Sequence, residues 1–121
     1  MKITNSLATT NYTEIHCEDD IKYNAPHHFK VHKVDVLTLS KGEEIAEINF
    51  QEGPIKECGV NGVANEDLIV MVLERLHHFQ SSEYSCRENP MAITILEVAL
   101  MWLRKRSNER VMRNVEGTSE V

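Results

Sequence analysis

Arg104, Lys105, Arg106, Arg110 and Arg113 crowd one short stretch, opposed between residues 104 and 113 only by Glu109. Four of these five cations are arginine, whose planar fork bonds phosphate oxygens two at a time, whereas lysine offers a point charge. Arg106, Arg110 and Arg113 are spaced by four and three, so on a continuing helix their guanidiniums share a face. A favourable charge at a helix C-terminus accounts for two or three of them with no ligand at all, and composition weighs that reading and an anion site equally. Two other groups could complete such a site. Gly59-Val60-Asn61-Gly62-Val63 leads straight into a helical pattern that begins near Asn65, where free backbone N–H groups can accept a phosphate. Tyr84 stands close to Arg87 and Asn89, and a ring can stack on a purine while an amide reads its edge.

Other chemistries fare worse. His27-His28 and His77-His78 are adjacent pairs, whose rings diverge on a helix, and no CxxC or HExxH spacing occurs, so no metal site is expected. Cys86 precedes Arg87 but has no spaced triad partner, and Glu74 and Glu97 read as ordinary charged helix positions, so no catalytic residue is assigned. No glycine-rich loop of Walker or dinucleotide type is present, and no cofactor is expected.

The elements that must position these residues follow from periodicity. Residues 1–28 are polar and read as short extended pieces or a partly ordered arm. Phe29 and Val31, then Val34 and Val36, alternate as a strand with a bulge expected at Lys33. Ser40-Lys41-Gly42-Glu43 supplies a turn in which Gly42 can take positive φ, and Ile45, Ile48 and Phe50 suggest the returning strand. Gly53-Pro54 breaks the chain before a third short strand over Ile55–Val60. Leu68, Ile69, Val72, Leu73, Leu76 and Phe79 then form the stripe of a first long helix capped by Asn65, ending at Ser81-Ser82. A second helix opens with Asn89 as cap and Pro90 in its first position, and runs through Leu103 into the arginines. The expected fold is α+β: a small antiparallel sheet followed by an antiparallel helical hairpin, within a single domain 1–121 that divides into an arm and meander (1–60) and a hairpin and tail (61–121).

The chain has 121 residues and a formal charge of −6, which disfavours duplex nucleic acid as the main partner. Its three cysteines are widely spaced and odd in number, and neither a signal-peptide stretch nor a membrane-spanning run is found, so a cytosolic protein is expected. Leu100, Met101 and Trp102 make the second helix apolar around more than half its circumference. One small sheet cannot cover that surface, which predicts an oligomer assembled through the helices.

The motifs Gly59-Val60-Asn61-Gly62-Val63 with Asn65-Glu66-Asp67-Leu68, Cys86-Arg87-Glu88-Asn89, Ala99-Leu100-Met101-Trp102-Leu103 with Arg104 and Arg106, and Val115-Glu116-Gly117-Thr118 resemble, in order and spacing, the helical-hairpin domain of bacteriophage signal sponges. That group holds the Thoeris anti-defence (Tad) proteins and the anti-CBASS sponges; the sheet-bearing first half is closer to the Tad branch. The resemblance implies a non-catalytic protein of the infected host's cytoplasm that binds cyclic ADP-ribose isomers without cleaving them, so that the Thoeris effector stays inactive. It also implies pockets at subunit interfaces of a homodimer or of a hexamer built as a trimer of dimers, with cyclic di- or trinucleotides at separate sites in some members. Arg87, Arg106, Arg110 and Arg113 then become the cations for the pyrophosphate. Tyr84 or Phe79 becomes the stacking ring, and Asn61, Asn65 and Asn89 the polar contacts. A sponge competes with an effector, and a nanomolar dissociation constant requires about −12 kcal/mol. Two other classes compete with this reading: an enzyme that cleaves the nucleotide signal, and a small nucleic-acid-binding regulatory oligomer.

Overall fold

The computed structural model describes residues 1–8 and 11–121; the expectation of an arm at residues 9 and 10 lies outside them. Four strands, β1 (Lys2–Ile3), β2 (Thr13–Cys17), β3 (His28–Val34) and β4 (Lys41–Asn49), form an antiparallel sheet in the order β1-β2-β3-β4. Three helices follow, α1 (Ile55–Cys58), α2 (Asn65–Gln80) and α3 (Glu88–Met112). The chain divides into two compact units: Met1–Gly53 with Cys58–Gly62, and Pro54–Glu57 with Val63–Val121. Among the described residues no helix is long and apolar enough to cross a membrane.

In the first unit, period-two alternation sorts the sheet into unlike faces. Registers Ile3↔Ile15↔Val31↔Ala46 and Cys17↔Phe29↔Ile48 align an apolar face. Registers Glu14↔His32↔Glu44 and His16↔Lys30↔Glu47 align a charged one. That charged face is knitted by Lys2–Glu14 (3.1 Å) and Lys30–Glu44 (3.4 Å), and the bond from Lys2 holds the Glu14 carboxyl below the usual range. The segment before residue 28 thus follows the first of its two expected forms, short extended pieces: Ile15 and Cys17 pair along β3, and Cys17 is buried. The irregularity expected at Lys33 falls on the opposite strand. Between Val31 and Val34, β3 advances regularly while β4 takes extra residues. Gly42 also departs from the expected turn role. It lies within β4, where a Cβ would come within 2.9 Å of the Lys33 carbonyl oxygen, and Leu39 (φ 56°) makes the left-handed turn. Leu39 is held there by Asp35, whose backbone carbonyl accepts the Leu39 N–H and whose carboxylate accepts that of Leu37.

The third strand expected over Ile55–Val60 is instead one helical turn followed by a loop. Gly53 (φ 83°) and Gly59 (φ 73°) reverse the chain on either side of it, leaving too few residues for a ladder. Pro54 precedes the turn, where a missing N–H costs nothing, and its carbonyl accepts the Glu57 N–H.

In the second unit α2 packs on α3, with Leu73 and Ile93 buried at the seam. The inner faces step by three and four: Ile69, Leu73, Leu76 and Gln80 on α2, and Ile93, Leu96, Leu100 and Leu103 on α3. Val72 and Phe79, read as part of the α2 stripe, fall outside it and are exposed. The cap of α2 is Ala64 rather than Asn65, its N–H bonded to the Asp67 carboxylate at 2.8 Å. The cap of α3 is Arg87 rather than Asn89, so Pro90 takes the third helical position. It is still within the first turn, where a backbone N–H would lack a helical acceptor, so no bond is lost there.

Candidate ligand-binding site

Phe79, at the last turn of α2, and Tyr84, in the seven-residue connection to α3, are the two rings singled out by sequence, and they line one concavity of about 370 Å³. Glu74, Arg75, His78 and Ser82 complete its wall. The Arg75 guanidinium stands 5.4 Å from the Phe79 ring centre, a cation–π contact that the i, i+4 spacing makes natural. Beside it His78 Nε2 and Glu74 Oε1 are 3.0 Å apart. Arg75 brings positive charge to the rings and was not singled out by sequence; its position one turn before an aromatic residue was the available signal. The bend is braced by polar side chains: the Tyr84 N–H donates to Ser82 Oγ and the Cys86 N–H to Gln80 Oε1, both at 3.1 Å. Arg87 and Asn89 begin α3 immediately after, Arg87 exposed and Asn89 half-buried.

The arginines at the far end of α3 separate into two groups. The Arg110 fork donates to the carbonyls of Val115 and Thr118, each at 3.1 Å, and Arg113 donates to that of Val121 at 3.1 Å. These two side chains fold the tail over the helix end, a role that cation counting could not separate from anion binding. Arg104 and Arg106 enter no hydrogen bond or ion pair among the described residues and are exposed. Arg104 also lines a groove of about 620 Å³ with Glu66, Leu73, Glu97, Leu100, Met101 and Ser107.

The asparagines expected as polar contacts do not gather around the rings. Asn61 belongs to the sheet unit, where its carboxamide accepts the Glu52 N–H (2.8 Å) and donates to the Glu52 carbonyl (2.7 Å). Asn65 is the exposed first residue of α2. Glu66 and Asp67 already occupy that first turn, so their charge opposes an anion at the helix dipole. The structure thus brings Phe79 and Tyr84 together at the helical bend, leaves Arg87 and Asn89 next in the chain at the start of α3 and outside that concavity's wall, and places Arg106 towards the other end of α3.

Comparison with known proteins agrees with this architecture. Residues 42–107 match the family model described as the Acb2/Tad1 hairpin domain. A protein of Bacillus phage SBSphiJ7 named Thoeris anti-defense 1 is 45% identical over 139 aligned positions, covering 98% of each chain. With more than half of its length inside the family model and a curated relative matching nearly end to end, the chain belongs to the Acb2/Tad1 hairpin family.

Proposed function

We propose that this phage anti-defence protein is a sponge that binds a cyclic ADP-ribose-type signal between two copies of the chain and releases it unaltered. The observation that carries the reading is the distance between the two halves of the site. Asn89 and Arg106 lie on one unbroken helix, which at 1.5 Å per residue sets them about 26 Å apart, beyond the reach of one cyclic mononucleotide-sized molecule. A second copy resolves this.

Met91, Ile95, Val98 and Trp102 step by four, three and four along the side of α3 opposite Ile93, and they are 63%, 65%, 44% and 65% exposed. Two such stripes crossing antiparallel about a twofold axis near residue 97 set Arg87 of one chain, with Asn89 on the same first turn, beside Arg106 of the other. Cations from both chains then face one gap beside a ring. A pyrophosphate satisfies their forks, an adenine stacks on Phe79 or Tyr84, and Asn89 is at hand for a ribose hydroxyl or base edge. A dimer, or a hexamer built from three of them, provides this arrangement twice per pair.

The name of the Bacillus phage relative and the family match support the anti-defence role. No chemistry is assigned to a residue at the gap: Glu74 is engaged with His78, and the Ser82 hydroxyl beside them donates to the Phe79 carbonyl. Incubation with cyclic ADP-ribose isomers is expected to remove them from free solution, and heat denaturation to return them intact by mass. A linearised or hydrolysed product would place the protein among enzymes instead. Of the rings, Phe79 is the better stacking partner because Arg75 already orients it. Phe79→Ala is expected to cost about 1–3 kcal/mol of affinity by calorimetry and Tyr84→Ala less, and the reverse order would move the base onto Tyr84.

A further inference from the structure

We propose that His28 is a proton-dependent latch on the loop Gln51–Gly62. Among the described residues the loop takes part in no strand pairing, and its two ends are tied to each other by side chains. Gln51 Nε2 donates to the carbonyls of Gly53 (3.1 Å) and Gly59 (2.7 Å), and Gln51 Oε1 accepts the Asn61 N–H (3.0 Å). The Asn61 carboxamide closes a two-bond ring with the backbone of Glu52. Glu52 is in turn fixed by His28, whose Nε2 is 2.8 Å from its carboxylate. The other ring nitrogen, Nδ1, is 2.8 Å from Asn49 Oδ1 on β4.

Both nitrogens therefore face oxygens. A neutral imidazole has one N–H and would set a lone pair against one of them; an imidazolium donates to both. Two carboxylates favour that charge against the cost of partial desolvation. Glu52 lies on the loop, and Glu18, after β2, lies 4.0 Å from Nε2. The carboxylate of Glu18 is itself pinned by the backbone N–H groups of His27 and His28, which hold its pKa low against the cost of its partial burial. The nearest cation on the same face, Lys30, is paired with Glu44, and His27 spends its Nε2 on the Lys22 carbonyl. The bonds to Asn49 and then Glu52 accordingly raise the His28 pKa above the ordinary imidazole value. A group whose pKa is raised by folding contributes fully below its unfolded value and loses that contribution as pH climbs through the folded one. The latch is thus closed below the ordinary imidazole value and opens as pH climbs through the raised one. When it is closed, His28 and Asn61 together hold Glu52, one by its carboxylate and the other by its backbone; when it is open, the tie to the carboxylate is weakened and the backbone is left to Asn61.

The test is amide hydrogen exchange and histidine titration, followed by NMR on the full chain between about pH 5.5 and 8.5. After correction for intrinsic exchange, protection of the Glu52 and Asn61 amides is expected to fall several-fold across that range in the parent. In His28→Asn it is expected to stay flat. Glu52→Gln, which keeps an acceptor but no charge, is expected to bring the His28 midpoint back toward the ordinary imidazole value and serves if His28→Asn does not fold. An Asn49 amide turned to donate would satisfy a neutral ring, and His28 would then titrate at or below the ordinary value. That result, or the same pH dependence of protection in parent and His28→Asn, overturns the latch.

Discussion

Arg106→Ala is expected to weaken binding of a cyclic ADP-ribose isomer roughly ten- to a hundredfold, the loss of a charge-assisted bond worth about 1.5–3 kcal/mol. The reason is specific to its position on α3. Arg110 and Arg113, which share its helix face, have given their forks to the carbonyls of Val115, Thr118 and Val121. Arg106 has no such partner among the described residues and stands free to meet a phosphate. Arg110→Ala should act differently, loosening the tail and lowering stability before it touches affinity. Titration calorimetry and thermal unfolding of the two variants separate these outcomes. Parent-like affinity in Arg106→Ala with a large loss in Arg110→Ala would move the anion to the tail end of the helix.

The second large effect concerns the seam. Ile95→Arg is expected to break the assembly into monomers at micromolar concentration, as read by sedimentation. The stripe to which Ile95 belongs is apolar and self-complementary under a twofold axis, so a charge placed there is buried twice over and faces its own copy. Ile95 lies on the outer side of α3, opposite buried Ile93, so the helical signal of the isolated chain should survive. Ligand binding should vanish with the assembly although Arg106, Phe79 and Asn89 are untouched. Retained oligomer and retained affinity together would show that the stripe is not where two copies meet.

The helices were the most legible part of the chain, because a 3.6-residue period of Leu, Ile and Val states their existence, although Val72 and Phe79 fall outside the inner face that it suggested. Their starts were not. Asn65 and Asn89 look like caps, yet Asp67 bonding to Ala64 and the tolerance of Pro90 at the third position move both boundaries. The loop 51–62 was illegible for a different reason. Ile55–Val60 carries strand-like residues, but two left-handed glycines and the amides of Gln51 and Asn61 set its path, and no local propensity encodes long-range side-chain bonds. The same applies to the binding residues. Sequence supplied the chemical types, and it supplied the rings and the cations separately. That Phe79 and Tyr84 share a wall, that Arg75 leans on the ring and that Arg110 is occupied are consequences of packing. Of Leu100, Met101 and Trp102, only Trp102 belongs to the exposed stripe on α3, and Leu100 lies on the inner face. Only the burial of Ile93 identifies which side of the helix is left over.

The most direct test of a pocket shared between chains is complementation of two broken ones. Phe79→Ala and Arg106→Ala chains, each deficient in binding alone, are unfolded together, refolded as a mixture and titrated with cyclic ADP-ribose. If the ring comes from one chain and the guanidinium from the other, half of the random pairs are mixed, and each mixed pair carries one intact pocket. Parent-like affinity should then return at about a quarter of the sites. If both residues serve a pocket within one chain, no mixture can rebuild it, and a titration with no high-affinity sites would contradict the account.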